Sequence, residues 1–209
     1  MPETGKFITF EGIDGSGKST LITEIKDYLE NQKIKVFQSR EPGGVPIAEE
    51  IRNLLLSDVF IGSAGETEAL MMFAARFEHL KNAIIPALEK GEWVLCDRFT
   101  DSTFAYQVFG RGIDFSCVEK LSDLVHPNHH PDLTILLDLD TNISLKRITQ
   151  KEEKLNRLDD NTDCFQDRVK EGYLKLSQKY PKRIKVVDAT QSFDNVLKQT
   201  KELLDPLLS

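Results

Sequence analysis

At 209 residues, with 40% hydrophobic and 29% charged side chains, the chain is long enough to bury one α/β core and reads as a single domain, 1–209. Its net charge of −7 excludes broad binding to nucleic acid, which needs a basic surface to displace counterions, but leaves room for a local basic site. No apolar run reaches the roughly 18 residues that span a bilayer. The polar Met1–Lys6 is not a signal peptide. The three cysteines, Cys96, Cys117 and Cys164, are spaced too widely for a disulfide framework or a zinc cluster and point to a reducing, cytoplasmic setting.

Phe7 to Glu11 is a short apolar run before a glycine-rich turn, the pattern of a buried parallel strand. From Lys18, the residues Leu21, Ile22, Ile25, Tyr28 and Leu29 recur at helical spacing. Lys35 to Ser39 reads as a second strand, and Ile47, Ile51, Leu54 and Leu55 mark a second helix. A long helical stretch is expected from Thr67 to Glu89, stopped at Gly91. Trp93–Cys96 and Leu133–Leu137 read as further buried strands. Helices follow at Ile143–Ile148 and Phe165–Leu176, separated by the charged segment Lys151–Asp160. Ile184–Val187 closes the strands and Val196–Leu208 the helices. Alternation of this kind predicts a parallel sheet covered on both faces, with ligands at the carboxyl ends of its strands.

Gly12 to Ser19 reads G-I-D-G-S-G-K-S, matching the phosphate-binding pattern G-x-x-x-x-G-K-[ST] between a strand and a helix. Gly12, Gly15 and Gly17 let the backbone turn its N–H groups toward phosphate oxygens, and the helix N-terminus adds to the attraction. Lys18 is expected on the β- and γ-phosphates and Ser19 on Mg²⁺; Ile13, Asp14, Ser16 and Thr20 complete the ATP contact. ATPases, GTPases and kinases share this loop, so its use has to come from elsewhere in the chain.

A second phosphate site is expected at the end of the Trp93 strand, where D-R-F-T-D-S-T-F-A-Y-Q runs from Asp97 to Gln107. Asp97 is placed to hold the metal through water, and the guanidinium of Arg98 to fork onto an incoming phosphate. Arg40-Glu41-Pro42-Gly43-Gly44 and Arg52 follow the second strand, and the long helix carries M-M-F-A-A-R with Phe73 and Arg76.

Here the chain resembles the thymidylate kinases, end to end. The resemblance rests on F-E-G-I-D-G-S-G-K-S-T, R-E-P-G-G, M-F-A-A-R, D-R-x-x-x-S-x-x-A-Y-Q, P-D-L-T at Pro131 to Thr134 and D-A-T-Q at Asp188 to Gln191. It implies a P-loop fold that transfers the γ-phosphoryl group of ATP to thymidylate with Mg²⁺, as a homodimer. It implies that Asp14 orients the deoxyribose 3′-hydroxyl, that Arg98 and Arg52 grip the acceptor phosphate beside Glu41 and Pro42, and that Arg76 donates to the thymine carbonyl at position 4. Ser102, Thr103 and Gln107 would line the base, and Tyr106 would exclude a ribose hydroxyl. The family's stacking aromatic falls at Met72 here, with Phe73 one position on and turned by about 100°; either side chain is a candidate to cover the base. Thr190 and Gln191 resemble the adenine loop, with Ser192 or Asp194 as the cap of the next helix.

Between Gly12 and Gly17 the loop carries no cation, whereas phosphoryl transfer gathers negative charge that needs one. A basic lid at about 148–160, with Arg147, Lys151, Lys154 and Arg157 in or beside it, is expected to supply it. Lys151 stands where the family often has arginine, and N-R-L-D replaces D-R-x-E at Asn156 to Asp159, leaving open which cation meets the transferring group. A kinase acting on another nucleoside or nucleoside monophosphate, or a nucleotide-dependent switch, would need the same loop.

Overall fold

The structure, a computed structural model, describes residues 5–150 and 164–208. Its strands are β1 (Phe7–Glu11), β2 (Val36–Arg40), β3 (Trp93–Asp97), β4 (Leu133–Asp138) and β5 (Ile184–Asp188). They form one sheet in the order β2-β3-β1-β4-β5, with every pairing parallel. The expected parallel α/β fold is present. Parallel pairing needs a crossover between strands, and the helices supply it from both faces. They are α1 (Lys18–Asn31), α2 (Pro46–Leu56), α3 (Gly65–His79), α4 (Ile85–Glu89), α5 (Thr100–Thr103), α6 (Phe115–Val125), α7 (Thr141–Gln150), α8 (Phe165–Lys179) and α9 (Phe193–Leu204).

β1 lies in the middle of the sheet, and Ile8 and Phe10 are fully buried on it. The larger core cluster contains Leu21, Ile22 and Ile25 of α1 and Val169, Tyr173 and Leu176 of α8. A smaller cluster joins Phe7, Val94 and Cys96 to Leu80, Ile84 and Phe99. Because β1 is flanked by β3 and β4, its carboxyl end meets theirs, and the chain reverses direction of travel across the sheet there. That switch point is where an open parallel sheet leaves its ligand crevice.

The long helix expected from Thr67 to Glu89 is continuous from Gly65, but Leu80–Ile84 is a π-turn. Pro86 is the reason: it has no N–H to donate to the preceding turn, and the wider turn absorbs the missing bond. The last helix ends at Leu204, and Pro206 sits in a single 3₁₀ turn beyond it. Two helical stretches were not read from the sequence. Thr100–Thr103 continues as a π-helix over Phe104–Gly110, and α6 is capped by Asp114, whose carboxylate accepts the Ser116 N–H at 2.7 Å. No helix among the described residues is long and apolar enough to cross a membrane.

Candidate active site

The phosphate loop follows β1 directly. Gly12, Gly15 and Gly17 have φ of 134°, 72° and 95°, in the region that L side chains rarely adopt. At Gly12 space forbids a side chain as well, since a Cβ would lie 2.5 Å from the Leu137 carbonyl oxygen. Lys18 folds back into the loop and donates to the carbonyls of Gly12 and Ile13 at 3.0 and 3.1 Å. Burial, then the neighbouring Arg98, lowers its pKa, while Asp97, Asp14 and Glu11 pull the other way. Ser19 is exposed at the first turn of α1, and one carboxylate oxygen of Asp97, at the end of β3, is buried without a hydrogen-bond partner. The orphaned oxygen and the free hydroxyl suit a hard cation that also takes phosphate oxygens and water.

Asp14 joins this cradle to a second site. Its carboxylate lies 3.8 Å from Lys18 Nζ and accepts from Arg98 Nη2 at 2.6 Å. Arg98 has a backbone φ of 69°, a conformation that costs about 1–3 kcal/mol for a non-glycine residue and persists only where its surroundings enforce it. Its Nη1 donates to Ser102 Oγ at 3.2 Å and to the Tyr173 hydroxyl at 3.1 Å. The Tyr106 ring lies 5.1 Å from the guanidinium carbon. Burial opposes the charge of Arg98, but Tyr106, Asp14, Tyr173 and Asp97 hold it firmly protonated. Arg52 is half-buried nearby, and donates to the Pro42 carbonyl at 3.0 Å.

Arg76 is only 2% exposed. Its Nε donates to Glu41 at 2.7 Å and its Nη2 to Thr103 at 3.1 Å, while Nη1 has no hydrogen-bond partner. A buried unmade guanidinium bond costs roughly 1–3 kcal/mol, which makes Nη1 a candidate donor to a ligand acceptor. The rings of Phe73 and Phe99 flank that guanidinium at 4.7 and 4.9 Å. Phe73 is buried and Met72 half-buried, so Phe73 serves as the platform of Arg76. Glu41 lies beneath this group with its second oxygen 3.0 Å from His79 Nδ1, and His79 in turn meets Ser39 at 2.7 Å. Gln107 is buried and its amide donates to Glu68 at 3.2 Å.

A glycine-rich loop, a carboxylate paired with both Lys18 and Arg98, and a buried guanidinium with one unpaired N–H thus gather near the carboxyl ends of the strands. The thymidylate kinase family profile matches residues 10–200. The chain belongs to the thymidylate kinase family. It is 44% identical to the thymidylate kinase of Ruthia magnifica over 98% of this chain and all of that one. The thymidylate kinase of Alkalilimnicola ehrlichii is 46% identical over 96% of this chain and 92% of its own. The crystal structure of thymidylate kinase from Ehrlichia chaffeensis superposes with a TM-score of 0.78 at 34% identity, covering 97% of this chain and 99% of that one.

Within this thymidylate kinase fold, Arg147 donates from α7 to Gly15 in the phosphate loop and to Ala189 after β5, at 3.3 and 3.2 Å. Thr190 and Gln191 close a turn on Asp188, and Ser192 caps α9. The expected lid cations Lys151, Lys154 and Arg157 lie outside the described residues. The sequence reading passed over Glu11, although it stands inside F-E-G. Glu11 is fully buried, and its carboxyl is pushed up to about 7 by burial and then by Asp101, against hydrogen bonds and charge from Ser102, Arg98 and Phe99. Tyr173 and His79 were missed too, and only proximity in the fold reveals them.

Proposed function

We infer that this protein transfers the γ-phosphoryl group of ATP to the phosphate of thymidylate, giving dTDP and ADP. The observation that carries this is Asp14, whose one carboxylate touches both the donor lysine, Lys18, and the second cation, Arg98. A donor phosphate on Lys18 and an acceptor phosphate on Arg98 would then lie side by side, so positioning replaces a bimolecular encounter. The free Nη1 of Arg76 suits a carbonyl of a neutral base and would meet an amino group badly, which favours thymine over cytosine. Tyr106, 7% exposed beside Arg98, is the residue we assign to excluding a 2′-hydroxyl.

Ser19 and Asp97 would hold Mg²⁺, which when bound supplies charge neutralisation for the phosphate oxygens. Lys18, Arg98 and Arg147 do the rest from the described residues: they bind, align and keep the two phosphates in place. Asp14 is held against two cations, so its part is orientation. We further propose a homodimer. Leu70 and Phe77, seven residues apart on α3 and 55% and 46% exposed, offer it an apolar stripe. The free cysteines suit the reducing cytoplasm.

A coupled ADP-release assay across ribo- and deoxyribonucleoside monophosphates tests this. Release should require an acceptor and be fastest with thymidylate. Acceptor-independent release, or preference for another base, would overturn the assignment.

A further inference from the structure

Glu11 ends β1 and is 0% exposed, yet none of the roles above uses it. Its oxygens serve three donors, and all three surround Arg98. Oε1 accepts the N–H of Phe99, the next residue in the chain, at 2.7 Å. Oε2 accepts from the Ser102 hydroxyl at 2.5 Å and from the Tyr173 hydroxyl at 3.0 Å. Those same two hydroxyl oxygens accept from Arg98 Nη1, at 3.2 and 3.1 Å. A hydroxyl has one proton to give. The two hydroxyls also lie 2.8 Å from each other; with Ser102 donating to Glu11, and Tyr173 donating to Glu11 or to Ser102, lone pairs of both oxygens face the guanidinium. The left-handed backbone of Arg98, with φ of 69°, needs enforcement of this kind, and the Phe99 amide bond supplies it at the peptide itself.

We propose that Glu11 is the positioning residue of the acceptor-phosphate site, fixing Arg98 through the Ser102 and Tyr173 hydroxyls and the Phe99 amide. The proposal rests on the assignment of Arg98 to the acceptor phosphate. Glu11 touches no substrate; it sets the polarity of the hydrogen bonds that aim Arg98. An amide at this position keeps the shape and loses that polarity. Its NH₂ would donate to the hydroxyls, competing with Arg98 for their lone pairs and leaving at least one hydroxyl proton without its acceptor.

The test is steady-state kinetics on the full chain, varying each substrate at saturation of the other. Glu11→Gln should raise KM for thymidylate about 10-fold, the scale of one hydrogen bond to a charged group, with KM for ATP within about twofold. In a Ser102→Ala/Tyr173→Phe background, Glu11→Gln should add less than about twofold, because the groups it acts through are gone. Equal rises in both Michaelis constants, or the same factor in every background, would make Glu11 a core residue only and overturn the proposal. Should Glu11→Gln fold poorly, Tyr173→Phe keeps the ring and removes one arm. It should raise KM for thymidylate about threefold and leave ATP unmoved, and no change would overturn the proposal. Arg98→Ala separates this from the assignment beneath it. An unchanged KM for thymidylate there sinks the acceptor-phosphate role itself. A large rise there, with none in Glu11→Gln, sinks the positioning role alone.

Discussion

The donor cradle and the acceptor pocket handle anions in opposite ways. Around Gly12–Ser19 the recognition is done by backbone: a tight loop, positive-φ glycines and the start of α1. Among its side chains only Lys18 adds a positive charge. The acceptor pocket is made of side chains from β2, α3, β3 and α5, and each of its cations is partnered inside the protein. Arg76 has Glu41, and Arg98 has Asp14. A cradle of backbone tolerates any triphosphate. A pocket of partnered side chains leaves only chosen donors free, such as Arg76 Nη1, and so can discriminate between bases.

The largest expected effect lies on the cradle side. Lys18→Ala should cut turnover by at least about 100-fold, the scale of losing one preorganised charge at the reacting centre. Thermal unfolding checks that the variant stays folded, because Lys18 also ties the loop carbonyls of Gly12 and Ile13. Wild-type turnover in a folded variant would remove Lys18 from the chemistry and erase the contrast drawn above.

On the pocket side, Arg76→Lys should raise KM for thymidylate by roughly 10- to 150-fold with little change for ATP. Lysine preserves a charge for Glu41 but loses the fork that reaches Thr103 and the base together. Arg76→Ala is a poorer probe, because it strands the buried Glu41 carboxylate and should cost about 3–5 kcal/mol in stability. Equal shifts for both substrates would move Arg76 out of the base site.

The smallest expected effect is a pH dependence of stability. His126 stacks on Phe73 behind Arg76, donates or accepts at Thr100 and Ser122, and faces Arg76, His129 and His130. Burial, then Arg76 and His130, push its pKa down to about 3 from 6.5, so the unfolded chain takes up this proton first. Stability from a neutral His126 is therefore complete above pH 6.5 and declines below it, at up to about 1.4 kcal/mol per unit. Glu11, raised from 4.5 to about 7, has the opposite sign: its contribution is present below 4.5 and lost as pH rises through 7. The two offset each other between pH 4.5 and 6.5. Denaturant titrations should show Glu11→Gln steepening the acid loss and His126→Asn reversing it. A profile that neither variant alters would show that these buried groups do not titrate on folding.

The same contrast explains what could be read from the sequence. The cradle is contiguous, so eight residues and their flanking strand and helix declared it. The sheet followed from short apolar runs, because strands buried on both faces carry no other pattern. The pocket is different. Glu11 and Tyr173 are 162 residues apart in the chain and meet only in the fold. Glu41, expected beside the acceptor phosphate, also pairs with Arg76 in the interior, which a strand-end motif cannot show. The helical stretch after Phe99 was hidden because its π-turns break the 3.6-residue spacing on which a helix is recognised.

The pairing of Arg76 with Glu41 also gives the crevice a direction. At the end we assign to the base a guanidinium and a carboxylate cancel, so a neutral ring would enter without a net field against it. At the other end the three cations Lys18, Arg52 and Arg98 outnumber Asp14 and Asp97, which would draw a phosphate there. On the proposed assignment, a nucleotide arriving backwards would set its dianion against Glu41 and its neutral base among the cations. On that assignment the charge distribution would select which way round the substrate lies before any contact with the base is made, and would bring the attacking oxygen to the side of Lys18.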